Sequence, residues 1–200
     1  WLHKTAKAQF ENNQNTFAAN LIVEKYPYPS VNIVGKINGT DPQLKSEYVL
    51  YSGHQDAHGI RNTINNDSIY YGADDNGSVD VATVPIDKIV AVLNGDMIGR
   101  NNIDSAAVLG TQSPHRNSED LVKMVMDANN EGPQFKLDTA YDKVTHVEGW
   151  YFRSDHLPYA RLGIPSIMYT SLLHEDYHTP LDNAQNINYP KLKKMAEWMY

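Results

Sequence analysis

The sequence predicts an α/β fold, a three-layer sandwich in which helices flank a central, mainly parallel mixed sheet. Three observations predict it. Short continuous apolar runs recur at residues 48–51, 89–93, 106–109 and 164–169, the pattern of strands buried on both faces. Segments of helical periodicity alternate with these runs, as helices covering a parallel sheet do. Several runs end in loops rich in Gly, Asn and Asp, the residues that turn a chain at the end of a strand.

Taken in order, residues 5–25 read as a helix, with Phe10, Phe17, Leu21 and Ile22 among polar neighbours, until Pro27 and Pro29 break the pattern. Residues 31–37 alternate apolar with polar, as a strand does, and the turn Asn38-Gly39-Thr40 closes them. The run 48–51 is a buried strand ending at Gly53. The runs 89–93 and 106–109 are the next two. Ser118 is the predicted N-cap of a helix over 118–130, with Glu119 and Asp120 in its first turn and Leu121, Val122, Val125 and Met126 at helical spacing. Residues 164–169 form a further strand. A terminal helix over 189–200 carries Leu192, Met195, Ala196 and Met199 on one face.

The 200 residues suffice for a sizeable core, and 41% hydrophobic with 20% charged residues is the composition of a globular chain. A net charge of −7 without a basic stripe excludes nucleic acid as an expected partner. No apolar run approaches the roughly 20 residues that span a bilayer, so no membrane is expected either. The absence of cysteine removes thiolate metal sites and cysteine nucleophiles, and fits a secreted or periplasmic enzyme. The start at Trp1, without a Met or a signal-like stretch, reads as a processed or trimmed chain.

Open α/β sheets bind ligands beyond the carboxyl ends of their strands. Four polar groups fall at such places: Gly53-His54-Gln55-Asp56, Gly72-Ala73-Asp74-Asp75-Asn76-Gly77 after the apolar tip 69–71, Asn94-Gly95-Asp96, and Tyr177-His178-Thr179-Pro180. Each alone is ordinary. A histidine after a strand is commonly a surface residue, Asp-Asp-Asn-Gly is turn chemistry, Asp96 could cap the next segment, and His before Thr-Pro suits a loop. Their joint placement is not ordinary, because two imidazoles and two carboxylates at one sheet edge make the nitrogen and oxygen set that binds zinc.

The strings GHQDAHG, YYGADDNGS, LNGDMIGRN, SDHLPYARLGIPSIMYT and DYHTPLDN, in that order, closely resemble the co-catalytic two-zinc aminopeptidases, whose relatives include glutaminyl cyclase, glutamate carboxypeptidase and the transferrin receptor ectodomain. The resemblance runs from about residue 31 to the C-terminus. It implies that His54 and Asp96 bind one zinc, that His178 binds the other, and that Asp75 bridges the two. It implies that the Asp56 carboxylate orients the His54 ring, as metal-bound imidazoles commonly require. Tyr151 and Tyr177 compete for the role of hydrogen-bonding the tetrahedral intermediate, and Ser154 and Asp155 are expected to contact substrate. Trp150, Phe152, Leu157 and Tyr159 are either apolar walls of a side-chain pocket or core.

One departure is large. Family members follow the bridging Asp with a helix and a strand ending in Glu-Glu, of which the first is the general base and the second a zinc ligand. No Glu-Glu pair occurs in this sequence, and only residues 76–95 lie between Asp75 and Asp96. That stretch is too short for a crossover between parallel strands followed by a further strand. A seam is expected near Ala82–Thr83 in what otherwise reads as a single catalytic domain over 1–200. Either a segment of the protein is missing from the sequence or it is deleted; the match on both sides favours the first.

The resemblance implies a zinc-dependent aminopeptidase that hydrolyses the N-terminal peptide bond of a peptide substrate, as a monomer, with two zinc ions per chain. The alternatives are a glutaminyl cyclase-like transferase and a non-catalytic binding module of the same fold. With the glutamate segment absent, the His178 group keeps only Asp75 and His178, and one tightly held zinc is expected beside a second that dialyses away.

Overall fold

The strand that leads to the first histidine is β1 (Tyr48–Ser52) in the computed structural model, which describes residues 34–54, 56–75 and 84–200. It is followed by β2 (Gly59–Ile64), β3 (Asp67–Tyr70), a 3-10 turn at Ile86–Lys88, β4 (Ile89–Gly95), β5 (Ser105–Leu109), α1 (Glu119–Glu131), β6 (Lys136–Leu137), a 3-10 turn at Trp150–Phe152, α2 (Leu157–Arg161), β7 (Ser166–Thr170), a 3-10 turn at Ala184–Asn186 and α3 (Tyr189–Met199). All these elements belong to one compact unit, Asn32–Tyr200. The expected helix over 5–25 and the expected seam at Ala82–Thr83 lie outside the described residues.

Five strands form one sheet in the order β1-β4-β7-β5-β6. β1, β4 and β7 run parallel, β5 is antiparallel to β7, and β6 is parallel to β5, which makes the sheet mixed and mostly parallel. Its two faces follow from the period-2 alternation of strand side chains. Ala106, Val108, Ile167 and Tyr169 point to one face and pack with Leu121, Val125, Met195 and Trp198 of α1 and α3. Ala107, Leu109 and Met168 point to the other and pack with Met97, Trp150 and Tyr151. α2 covers that second face further along, where Tyr159 meets Ile89 and Val92. The predicted three-layer α/β architecture is therefore present.

The helix ends are set locally. The Ser118 hydroxyl accepts from the Leu121 amide at 3.2 Å and opens α1, with Glu119 and Asp120 favourably placed against the helix dipole. Asn188 does the same for α3 through the Lys191 amide at 3.1 Å. The Trp198 indole donates to the Val125 carbonyl at 2.9 Å and ties α3 to α1.

Three expectations need correction. Residues 34–40 are irregular and exposed, with Val34 and Ile37 facing solvent, because no strand among the described residues pairs with them. β1 is not buried on both faces; among the described residues it is an edge strand, and Val49 and Tyr51 are exposed. The buried face of α3 is Lys191, Met195 and Trp198, while Ala196 is exposed. Lys191 reads as a surface residue in sequence, but its amine reaches the carbonyls of Asn102 and Ser105 beneath the helix.

His156 has no exposed surface, and burial pushes its imidazole down to about 4 from an ordinary 6.5. An unfolded chain takes up this proton below about 6.5, whereas the fold refuses it until about 4. The unfolded state therefore binds more protons in that window, and stability falls as pH drops through it, by about 3 kcal/mol in all. Urea unfolding at pH 7 and at pH 4.5 checks this: His156→Phe should lose much less between the two pH values than the parent.

Candidate metal centre

Parallel strands β1, β4 and β7 deliver their carboxyl ends to one sheet edge, and the functional groups follow from there. β1 leads through Gly53 to His54, β4 leads directly to Asp96, and the chain beyond β7 carries His178. Asp75 arrives differently. It follows β3, which belongs not to the main sheet but to a two-stranded hairpin with β2. Asn65 and Asn66 turn that hairpin, both with positive φ (50° and 64°), which asparagine tolerates better than most residues. Pairing of Gly59 with Tyr70 closes it and brings the residues that flank it, 56–58 and 71–75, side by side. Gly72 makes this approach possible. Its φ is +60°, and a Cβ there would lie 2.5 Å from the Ala57 Cβ and 2.5 Å from the Asp75 carbonyl oxygen.

The Asp75 loop is anchored from the far end of the chain. Asp182 accepts the Asp74 amide at 3.1 Å and the Asp75 amide at 3.2 Å, and its own carbonyl accepts from Ala73 at 3.1 Å. Arg100 pairs with Asp182 at 3.6 Å and with Asp176. Asp74 turns inward to accept the Gly99 amide, and burial pushes its carboxyl up to about 7. These contacts leave the Asp75 carboxylate facing outward between two imidazoles. One oxygen lies 3.2 Å from His54 Nε2 and the other 2.8 Å from His178 Nε2. The neighbouring histidines outweigh burial and hold its carboxyl below the usual range; reciprocally, the Asp75 contact raises His54 to about 9.

Asp96 is buried, and burial pushes its carboxyl up to about 6. One of its oxygens accepts from the Ser154 hydroxyl at 2.6 Å, at the end of a chain in which Ser52 donates to Asn94 at 2.7 Å and Asn94 to Ser154 at 2.7 Å. The other oxygen, Oδ1, is buried without a hydrogen-bond partner among the described residues. His178 sits in the left-handed region at φ 57°, with its ring stacked on Tyr177 at 3.6 Å.

Two groups of ligating atoms result, each within 4.8 Å: His54, Asp75 and Asp96, and His58, Asp75 and His178. Asp75 belongs to both. The donors are nitrogen and oxygen only, which suits zinc. The unpartnered Asp96 Oδ1 fits the same reading, since a buried carboxylate oxygen without a donor is costly unless a cation meets it. A cavity of about 460 Å³ lies over these groups, with Met97, Trp150, Arg153, Met168 and Tyr177 among its walls.

The other sequence-predicted residues divide. Tyr177 lines the cavity, whereas Tyr151 is buried in the core with its ring stacked on His115 at 4.0 Å. Ser154 stands behind Asp96 as its hydrogen-bond donor, and neither Ser154 nor Asp155 lines the cavity. The closest partner of His54 Nδ1 is the Asp56 backbone carbonyl at 2.9 Å; the Asp56 carboxylate is 3.5 Å away and largely exposed. Trp150 is a wall, Tyr159 is core and Phe152 faces solvent. Sequence reasoning passed over His58 and Asp182. Each stands four residues after a histidine singled out for the site, and in neither case does spacing alone reveal what it touches.

The model of the family described as Peptidase family M28 matches residues 32–84 and 80–200, two pieces that together span most of the chain. A comparison with curated proteins gives no match. Among solved structures, the chain is similar to the zinc aminopeptidase BSAP from Bacillus subtilis (20% identity, TM-score 0.41, 57% of this chain and 27% of that one). It is also similar to the LapA aminopeptidase of Legionella pneumophila (19%, TM-score 0.43, 56% and 30%) and to an Acidobacteriales bacterium glutaminyl cyclase (23%, TM-score 0.38, 57% and 37%). It thus spans well under half the length of each of these structures. With both pieces matched and the sheet, strand ends and histidine-carboxylate groups in place, the chain belongs to peptidase family M28.

Proposed function

We propose that this chain carries the metal centre of a zinc-dependent aminopeptidase, which hydrolyses the N-terminal peptide bond of peptides. The observation that carries the proposal is the Asp75 carboxylate, whose two oxygens face His54 and His178 separately, as a group shared by two cations must. His54, Asp75 and Asp96 would hold one zinc, and Asp75 and His178 would contribute to the other. A zinc pair supplies an acidified water and an electrophile for a scissile carbonyl.

The remaining work falls to the protein. Ser154 and the Asp56 carbonyl fix the orientations of Asp96 and His54, so that both present their free atoms to the cavity. To Tyr177, whose ring lies at the cavity wall against His178, we assign the hydrogen bond to the oxygen of a bound peptide carbonyl. Met97, Trp150 and Met168 form apolar wall, which favours an apolar N-terminal side chain. The proton of the attacking water needs an acceptor, and the carboxylates lining the cavity, Asp56, Asp75 and Asp96, are a largely exposed one and two ligand candidates. We assign the general base to a glutamate in a segment missing from this sequence near residues 82–83. The break of the family match into two pieces around 80–84 supports that reading.

The test is a peptidase assay on two proteins. The 200-residue chain should release no residue from peptide amides. A longer protein with the segment restored should release N-terminal residues, apolar ones fastest, and a chelator should stop it. Release of ammonia from N-terminal glutamine instead would establish the cyclase reading. No turnover of either kind by the longer, zinc-loaded protein would leave a binding module.

A further inference from the structure

His58 lines the cavity, and neither the sequence reading nor the proposed mechanism gives it a role. It stands at the entrance to the hairpin, next to Gly59, whose pairing with Tyr70 fixes where it lies. Its ring meets the His178 ring edge-on, with centroids 4.0 Å apart at 84°. Its Nε2 is buried and has no hydrogen-bond partner among the described residues. One of its ring nitrogens lies within 4.8 Å of ligating atoms of both Asp75 and His178. A histidine placed there for packing alone would leave a buried polar atom unmet, at a cost of about 1–3 kcal/mol. Two imidazoles and a carboxylate converging on one point are instead the three protein donors of an open zinc site.

We propose that His58 is the third protein ligand of the zinc held by Asp75 and His178. The proposal rests on the two-zinc reading of this centre and deepens it. It gives the second group three donors, where the count from sequence leaves it two. It also makes the centre independent of any ligand from the missing segment, so the 200-residue chain holds two ions by itself. The hairpin then has a job, since its closure carries His58 to Asp75.

The experiment is metal binding by the 200-residue chain, measured by equilibrium dialysis against zinc with elemental analysis. Cobalt-loaded samples are read by X-ray absorption to count imidazole ligands per ion. The parent should retain two ions. His58→Ala should retain one, with affinity for the second lowered by more than about 100-fold, because loosening a ligand only through its hydrogen-bond partner already costs about 10–100-fold. The remaining ion should keep the parent's affinity, and the imidazole count should fall. Circular dichroism establishes that the variant is folded, and added free imidazole should restore the second ion in His58→Gly. Two ions held equally well by parent and His58→Ala would overturn the proposal. So would one ion held by both, and that result would leave the His54 group standing. No ion in the parent would sink the two-zinc reading itself.

Discussion

Asp75→Ala is expected to give a folded chain that holds no zinc tightly. The substitution removes one donor from each group at once, leaving His54 with Asp96 and His58 with His178. Two donors do not make a zinc site, and the lost carboxylate is also the charge that lies between the two groups. Affinity at both groups should drop by more than about 100-fold, and a longer, active protein should lose turnover entirely. The fold has no strong reason to fail, because Asp182 holds this loop through the amides of Asp74 and Asp75, not through the Asp75 side chain. Asp75→Asn, which keeps the shape and removes the charge, should behave almost as badly. A second readout comes from His54. In the zinc-free protein its raised pKa depends first on the Asp75 contact, so NMR titration without metal should find it lower in either variant than in the parent. A variant that still binds two ions would refute the shared-ligand assignment.

The second large effect is predicted for a residue with no side chain. Gly72→Val asks for a branched side chain at φ +60°, a conformation such residues rarely adopt, and for a Cβ 2.5 Å from both the Ala57 Cβ and the Asp75 carbonyl. Neither neighbour is the movable end of a long side chain, so the backbone around Ala57 and the Asp75 loop must move apart. Backbone strain of this kind costs on the order of 1–3 kcal/mol before the clash is counted. Tm should fall by several degrees. Zinc affinity should fall as well, because the two separated segments carry His54 and His58 on one side and Asp75 on the other. Calorimetry and dialysis on the same sample test both parts. A variant with unchanged Tm and unchanged zinc binding would show that the close approach is not required.

What sequence could reveal here depended on how local the physics is. The central strands β4, β5 and β7 are legible because a strand buried on both faces must be apolar along its length, and α1 is legible because Ser118 and its first turn are local signals. β1 has the same apolar letters and is an edge among the described residues, because whether a neighbour lies beside a strand is settled by the rest of the chain. The candidate donors His54 and Asp96 were readable in the same way, since each follows the end of a strand and a strand's end is a local fact. His58 was not, because its position depends on hairpin closure and on the missing Cβ of Gly72. Tyr151 shows the converse. The resemblance made it a candidate for a role at the cavity, but the turn that presents Trp150 to the cavity directs Tyr151 into the core against His115. Ser154 sits in a motif associated with substrate yet acts on Asp96, which no spacing rule specifies.

The anchoring of the Asp75 loop by Asp182 has a consequence for when the centre can exist. The amides of Asp74 and Asp75 are held by a residue 108 and 107 positions further along the chain. During synthesis, His54, His58, Asp75 and Asp96 all emerge long before the group that fixes their loop. Contacts of such long sequence separation form late, because the intervening chain must be closed first. On the two-zinc reading, a growing chain would show a passing ion only scattered donors, and tight capture would wait until Asp182 has been made. Zinc uptake followed in time during refolding would then track the final cooperative step, lagging behind collapse and the burial of Trp198, and a truncation before Asp182 would bind loosely even with His54, His58, Asp75, Asp96 and His178 all retained.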